Sequence, residues 1–258
     1  MPGPLAARWT LQSIAPVRAG AHAHADVELE NAGTAAWRAG SVLASSHWLD
    51  QRGNPIVWDG VRNELPGTVA PGERVALRLA LRGPLPPGPY RLALDLVDEH
   101  RLWFAEAGSE TLELTVEVAP RIGRRLAARG GDPVALSAQE EPLVAENEAE
   151  ALAHLAPGVA PAPDWSRRVL DAHQEGYALV GGAVEWRAGR LRRWPRELEP
   201  YAPGQGRVPR FRHPLLCFSH VRELTPAPAE PVAGLPAATA PDEEPSLFDG
   251  RIVVRVRG

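Results

Sequence analysis

The sequence predicts a mainly β protein. An antiparallel β-sandwich over residues 1–119 is followed by a small, irregular α/β region. Three observations carry this reading. Short runs that alternate apolar and polar residues recur from Arg8 to Val118, the period-two signature of half-buried strands. Turn signals built on Asn, Gly and Pro separate those runs at near-regular spacing. Beyond about residue 119 the alternation gives way to helix-compatible stretches and short apolar runs.

Arg8–Ile14 alternates weakly and reads as an opening strand. In Ala21–Glu30, Ala23, Val27 and Leu29 interleave with His24, Asp26, Glu28 and Glu30. Asn31-Ala32-Gly33 turns the chain, because Asn and Gly accept positive φ cheaply. The central stretch is Leu43–Pro66: a strand, a tight turn at Arg52-Gly53-Asn54, a second strand and an irregular exit. Trp48 and Trp58 flank that turn, and pairing is expected to lay both rings on one hydrophobic floor, each burying about 150–250 Å². Val75–Arg82 and Tyr90–Val97 alternate clearly, the second with Leu92, Leu94 and Leu96 on one face and Arg91 and Asp95 on the other. Leu102–Ala105, with Trp103 and Phe104, and Thr111–Val118 close the series. Seven to nine short strands with Gly/Pro turns indicate a sandwich of two antiparallel sheets.

Residues 120–145 open with the basic run Pro120–Gly131, then turn acidic, and read as a solvated linker. Residues 146–224 read as the α/β region. Glu146–Leu155 has helix-forming composition, and a second helix starts near Asp164, a plausible N-cap, and stops at Gly176. Tyr177–Trp186 and Leu215–Val221 are apolar strand candidates. In Tyr177–Trp186 the Gly181-Gly182 pair reads as close backbone packing. Residues 225–258 form a Pro/Ala-rich tail with a final strand at Phe248–Val256.

Composition narrows the functional classes. All 28 basic residues are arginine, and the net charge of −4 over 258 residues argues against a general nucleic-acid binder. The single cysteine, Cys217, excludes an internal disulfide and a cysteine-built zinc site. His213, Cys217, Ser219 and His220 fall together, but in a strand Cys217 and Ser219 share one face and His220 points away from both, so the cysteine reads as structural. His22, His24 and His47 lack metal-ligand spacing. The start shows no apolar signal core and no run of about 18 apolar residues exists, so a cytoplasmic protein without a membrane span is expected.

Asn31-Ala32-Gly33-Thr34, Trp37, His47-Trp48-Leu49-Asp50, Trp58-Asp59-Gly60-Val61-Arg62, Pro87-Gly88-Pro89-Tyr90, Asp95-Leu96-Val97 and Trp103-Phe104 together carry a resemblance. Residues 8–118 resemble an immunoglobulin-like accessory domain of bacterial surface-polysaccharide proteins, often fused to glycosyltransferases. The resemblance implies a non-catalytic module. Leu152–Val184 is similar to the middle of a family 2 glycosyltransferase. It departs where that family's metal-binding acids stand, with Ala156, Pro157 and Gly158, and the nucleotide-binding half is missing. That similarity implies a degenerate or truncated transferase fragment.

Trp37, Trp48 and Trp103 are expected in the core, and Trp58 near a loop, where an indole stacks on a sugar face. Arg62 has two readings, an ion pair with Asp95, Asp98 or Glu99, or a hydrogen bond to a carbohydrate hydroxyl. Arg187–Arg196 interleaves arginine with Trp186 and Trp194, a pattern suited to single-stranded nucleic acid, to a sugar phosphate or to a solvated turn. The candidate ligand-binding residues are therefore Trp58, Asp59, Arg62, Trp186, Arg193 and Trp194. No catalytic residue, metal ligand or cofactor is expected. The functional expectation is a non-catalytic protein of surface-polysaccharide assembly that binds glycan or docks a glycosyltransferase partner. The alternatives are a degenerate nucleotide-sugar glycosyltransferase and a structural interaction module.

Overall fold

The computed structural model describes residues 4–187, 196–209, 213–214, 217–224, 229–232, 235–238 and 244–257. The chain divides into two compact units, residues 1–119 and 120–258.

The first unit is a β-sandwich. Its strands are β1 (Ala7–Ile14), β2 (His22–Asn31), β3 (Val42–Leu49), β4 (Pro55–Val57), β5 (Asn63–Glu64), β6 (Arg74–Arg82), β7 (Gly88–Asp98), β8 (Leu102–Trp103) and β9 (Leu112–Val118). One sheet runs β1-β2-β6; the other runs β4-β3-β7-β8, with β5 also on β3 and β9 also on β7. Val27, Leu29, Leu79 and Leu81 of the first sheet and Ala44, Trp48, Leu92, Leu94 and Leu96 of the second share one core with Trp37 and Phe104. Alternation produces this directly, since inward residues at every second position face the opposite sheet. On the outer face of the smaller sheet, Asp26 lies opposite Arg78 and Glu30 opposite Arg74, and both pairs form ion pairs.

Asn63 fastens the two sheets. Its amide oxygen accepts from Ala80 N at 2.7 Å, and its amide nitrogen donates to Ala80 O at 3.2 Å. Ala80 lies on β6, the edge of its sheet, so a side chain satisfies backbone groups that an edge strand leaves bare.

The second unit contains β10 (Leu126–Gly130), α1 (Pro133–Ser137), β11 (Ala151–Leu155), β12 (Ala160–Pro161), α2 (Trp165–Glu175), β13 (Leu179–Arg187), β14 (Arg207–Pro209), β15 (His213–Pro214), β16 (Cys217–Val221), β17 (Ala229–Val232), β18 (Leu235–Ala238) and β19 (Ser246–Arg257). The main sheet has the order β10-β11-β16-β13-β19-β12, with β14 on β19, and β15-β18-β17 form a small separate sheet. β10 runs parallel to β11 and β19 parallel to β13; the other pairings of the main sheet are antiparallel. α2 packs on one face of the sheet through Trp165, Val169, Leu170, Ala172 and His173, a stripe at helical spacing.

Three expectations from the sequence are corrected here. Residues 120–145 are not a solvated linker: Leu126 and Ala127 are buried in a sheet strand. Arg121 is buried, with hydrogen bonds to Gly176 O at 3.0 Å, Glu223 at 3.2 Å and Glu244 at 3.1 Å. Glu146–Leu155 is not a helix, because its second half forms β11 between β10 and β16; burial in a sheet overrides weak helix propensity. The last strand is not the end of a loose tail but a central one, with Leu247, Phe248, Ile252 and Val254 in the core. Gly182 illustrates the close packing expected there, since a Cβ on it would lie 2.1 Å from Ile252 O.

Candidate functional site

Part of the outer face of the larger sheet in the first unit, over β7, is covered, and the cover forms the candidate site. β7 is buried on both faces: Leu92, Leu94 and Leu96 face the core, and Ala93, Asp95 and Val97 face outward yet are also buried. The lid over them is the exit from β4, Trp58–Arg62, together with Trp103. Gly60 N donates to Ser46 O at 3.0 Å, which pins the exit along the edge of β3. Only glycine permits this approach, because a Cβ there would sit 2.4 Å from Ser46 O.

Under the lid lie His47 and Asp95, 3% and 1% exposed. The His47 ring stacks on Trp58 with centroids 4.1 Å apart and planes 24° apart. It meets Trp103 edge-on at 4.3 Å. His47 Nδ1 donates to the Trp58 carbonyl, and Nε2 lies 3.8 Å from Asp95 Oδ2. The Asp95 carboxylate accepts from Leu96 N at 2.7 Å and from Ala105 N at 3.3 Å.

Above this buried layer Trp58 is 47% exposed. Beside it Arg62 donates to Glu99 at 2.5 Å, to Asp59 at 3.0 Å and to Ser45 Oγ at 3.0 Å. The guanidinium carbon stands 4.7 Å over the Trp103 ring, within cation–π range. Burial works against the Arg62 charge, and the hydrogen bonds it donates to Glu99 and Asp59 outweigh it, so its pKa is raised. The result is a rigid aromatic plate with a fixed cation and an exposed carboxylate at its margin. Two residues before Trp58, Ile56 is also 47% exposed. It lines an open groove of about 380 Å³ with Asp50, Arg52, Pro87, Pro89 and Tyr90.

Of the residues singled out from sequence, Trp58, Asp59 and Arg62 come together as one surface. Arg62 pairs with Glu99 and Asp59. Arg193 and Trp194 lie outside the described residues; Trp186 sits on β13 opposite Val256 of β19. Trp37, Trp48 and Trp103 are buried. The shared floor for Trp48 and Trp58 does not form. Trp48 pairs with Val57, so Trp58 falls on the opposite side, over His47. A one-residue change of register moves a side chain to the other face. His47 carries no site signal in the sequence beyond its position next to Trp48 on a strand, which places it on the outward face.

In the second unit His173, Ser219 and Cys217 are sealed in the core. His173 Nδ1 donates to Tyr177 O at 2.8 Å, and His173 Nε2 meets Ser219 Oγ at 2.9 Å. Both side chains are fully enclosed, so this pair ties α2 to the sheet and reaches no substrate. Burial pushes the Cys217 thiol up to about 12, which leaves no thiolate nucleophile. Among the described residues no group of three or more His, Cys, Asp or Glu side chains is placed to hold a metal. No helix among them is long and apolar enough to cross a membrane.

No known protein family matches the chain, and no curated protein does. Solved structures that align with it include a β-glucosidase from Listeria innocua in complex with glucose, at 14% identity and a TM-score of 0.28, over 43% of this chain and 16% of that one. Another is a β-glucosidase from Kluyveromyces marxianus, at 12% identity and a TM-score of 0.25, over 44% of this chain and 14% of that one. A third is a family 123 glycoside hydrolase from Clostridium perfringens, at 8% identity and a TM-score of 0.28, over 69% of this chain and 38% of that one. The chain thus spans a small part of each enzyme, and likeness at this level carries no functional inference.

Proposed function

We propose that the first unit is a non-catalytic glycan-binding module with Trp58 as its platform. The observation that carries this reading is the mounting of Trp58: a large indole left 47% exposed, yet held flat on a buried imidazole. An exposed large aromatic loses water-ordering surface when an apolar ligand face covers it. A sugar ring offers such a face on its C–H side. Its rim of hydroxyls needs donors and acceptors, which Arg62 and Asp59 supply. The His47–Asp95 pair is sealed beneath the plate, so it supports the ring and does no proton transfer to a ligand. The ligand class we assign is a bacterial surface polysaccharide, the class to which the sequence resemblance over residues 8–118 points, with a glycosyltransferase as the partner served.

A glycan array followed by calorimetric titration tests this. Binding of a polysaccharide to the intact chain, lowered about thirtyfold in Trp58→Ala, supports it; such a loss equals ~2 kcal/mol, the size of a central contact residue. Equal binding by a folded Trp58→Ala variant, or no glycan bound at all, overturns it.

A further inference from the structure

We propose that His154 and His220 form a binding site for one late first-row divalent cation (Zn²⁺, Ni²⁺ or Cu²⁺) on the second unit's sheet. The pair lies on the face turned away from α2. Cys217, Ser219 and Val221 of β16 share one side of the strand, and Ser219 meets His173 of α2; His220 therefore points to the other side. In the antiparallel register His220 lies opposite Leu152 and Phe218 opposite His154, so the two histidines are diagonal neighbours on one face.

Their Nε2 atoms are 3.2 Å apart. Imidazole nitrogens bind these cations at ~2.0–2.1 Å, so bond angles between about 90° and 109° put two such nitrogens about 2.9–3.4 Å apart. The observed span falls inside that range. His220 Nδ1 donates to Val221 O at 3.0 Å, which leaves its Nε2 lone pair outward, the arrangement that orients histidine ligands in metal sites. His154 stacks on Phe218, centroids 4.8 Å apart and planes 14° apart, so its plane is fixed as well. Without a cation, His154 Nε2–H donates to His220. With one, that proton resides on His154 Nδ1, which frees both Nε2 lone pairs.

Two imidazoles leave coordination positions for water or an external donor. Imidazole donors suit zinc, nickel and copper, and copper(II) stands highest in the affinity order. Of the other histidines, His47 and His173 are sealed, and His22 Nε2 lies 2.8 Å from the Arg82 guanidinium.

The test is titration of the full chain with Cu²⁺ alone, read by calorimetry and electron paramagnetic resonance. The expected result is one Cu²⁺ per chain with coupling to two imidazole nitrogens. His154→Asn and His220→Asn should each remove one coupled nitrogen and weaken binding by at least about tenfold. A His22→Asn, His24→Asn double variant should leave both readouts unchanged. No binding, or binding and spectrum unaltered in folded His154→Asn, overturns the assignment. So does loss of the signal in the His22, His24 variant. His154 is only partly buried, so it decides the matter if His220→Asn fails to fold.

Discussion

The imidazole of His47 lies flat beneath the indole of Trp58, 4.1 Å between centroids, and the same two residues are joined again by the bond from His47 Nδ1 to the Trp58 carbonyl. Ring and backbone of the exposed residue are thus held by one buried side chain. Replacing His47 with Ala removes both restraints and leaves Asp95 buried beside a void. The Trp58 indole resonance should broaden or shift in nuclear magnetic resonance spectra. Stability should fall by ~1–3 kcal/mol, the cost of an unsatisfied buried polar group. An unchanged indole signal would show that His47 does not hold the ring.

Trp48 and Trp58 should respond very differently to truncation. Trp48 is 1% exposed and packs edge-on against Tyr90 at 6.3 Å, so Trp48→Ala is expected to cost ~3–5 kcal/mol. Trp58 keeps half its surface in water, and Trp58→Ala should cost about 1 kcal/mol. Urea unfolding midpoints of the two variants check the contrast; equal losses would contradict the placement.

Gly60→Ala places a methyl group 2.4 Å from the Ser46 carbonyl oxygen. Backbone cannot retreat as a flexible side chain does, so the Trp58–Arg62 exit must lift from β3. A destabilisation of ~1–3 kcal/mol is expected, within the range of overpacking. Hydrogen exchange at Gly60 N–H, now bonded to Ser46 O, should accelerate in a variant that folds.

His173 sets an acid limit on the second unit. Burial holds its pKa down to about 3, against 6.5 when exposed. The folded-state value is depressed, so the neutral ring's contribution is complete above pH 6.5 and is lost as pH falls from 6.5 towards 3. Between pH 6.5 and 4 the wild type should lose roughly 3 kcal/mol more than His173→Asn. Parallel stability curves would refute this.

Cys217 is the chain's single thiol, 2% exposed and shifted towards the protonated form. Alkylation by iodoacetamide should be negligible in the native protein and should rise with denaturant in step with unfolding of the second unit. Rapid labelling without denaturant would contradict the burial.

The strands of the first unit and the faces they turn inward were legible in the sequence, because alternation is a local signal and every second residue is fixed by the pleat. Trp58, Asp59 and Arg62 could be singled out for the same reason: they follow a strand and precede another, where a loop leaves side chains exposed. The burial of Asp95 was not legible, since it depends on a lid contributed by residues 58–62 and by Trp103. Nor was the placement of Trp58 over His47, which rests on the Trp48–Val57 register. In the second unit, Leu126–Gly130 and Ala151–Leu155 are too short for their periodicity to separate strand from helix or linker. His154 and His220 are 66 residues apart. Local pattern determined which residues alternate and which turn; only the tertiary structure decided register, the covering of outer faces and the meeting of distant imidazoles, because each depends on contacts between segments that carry no sequence signal of one another.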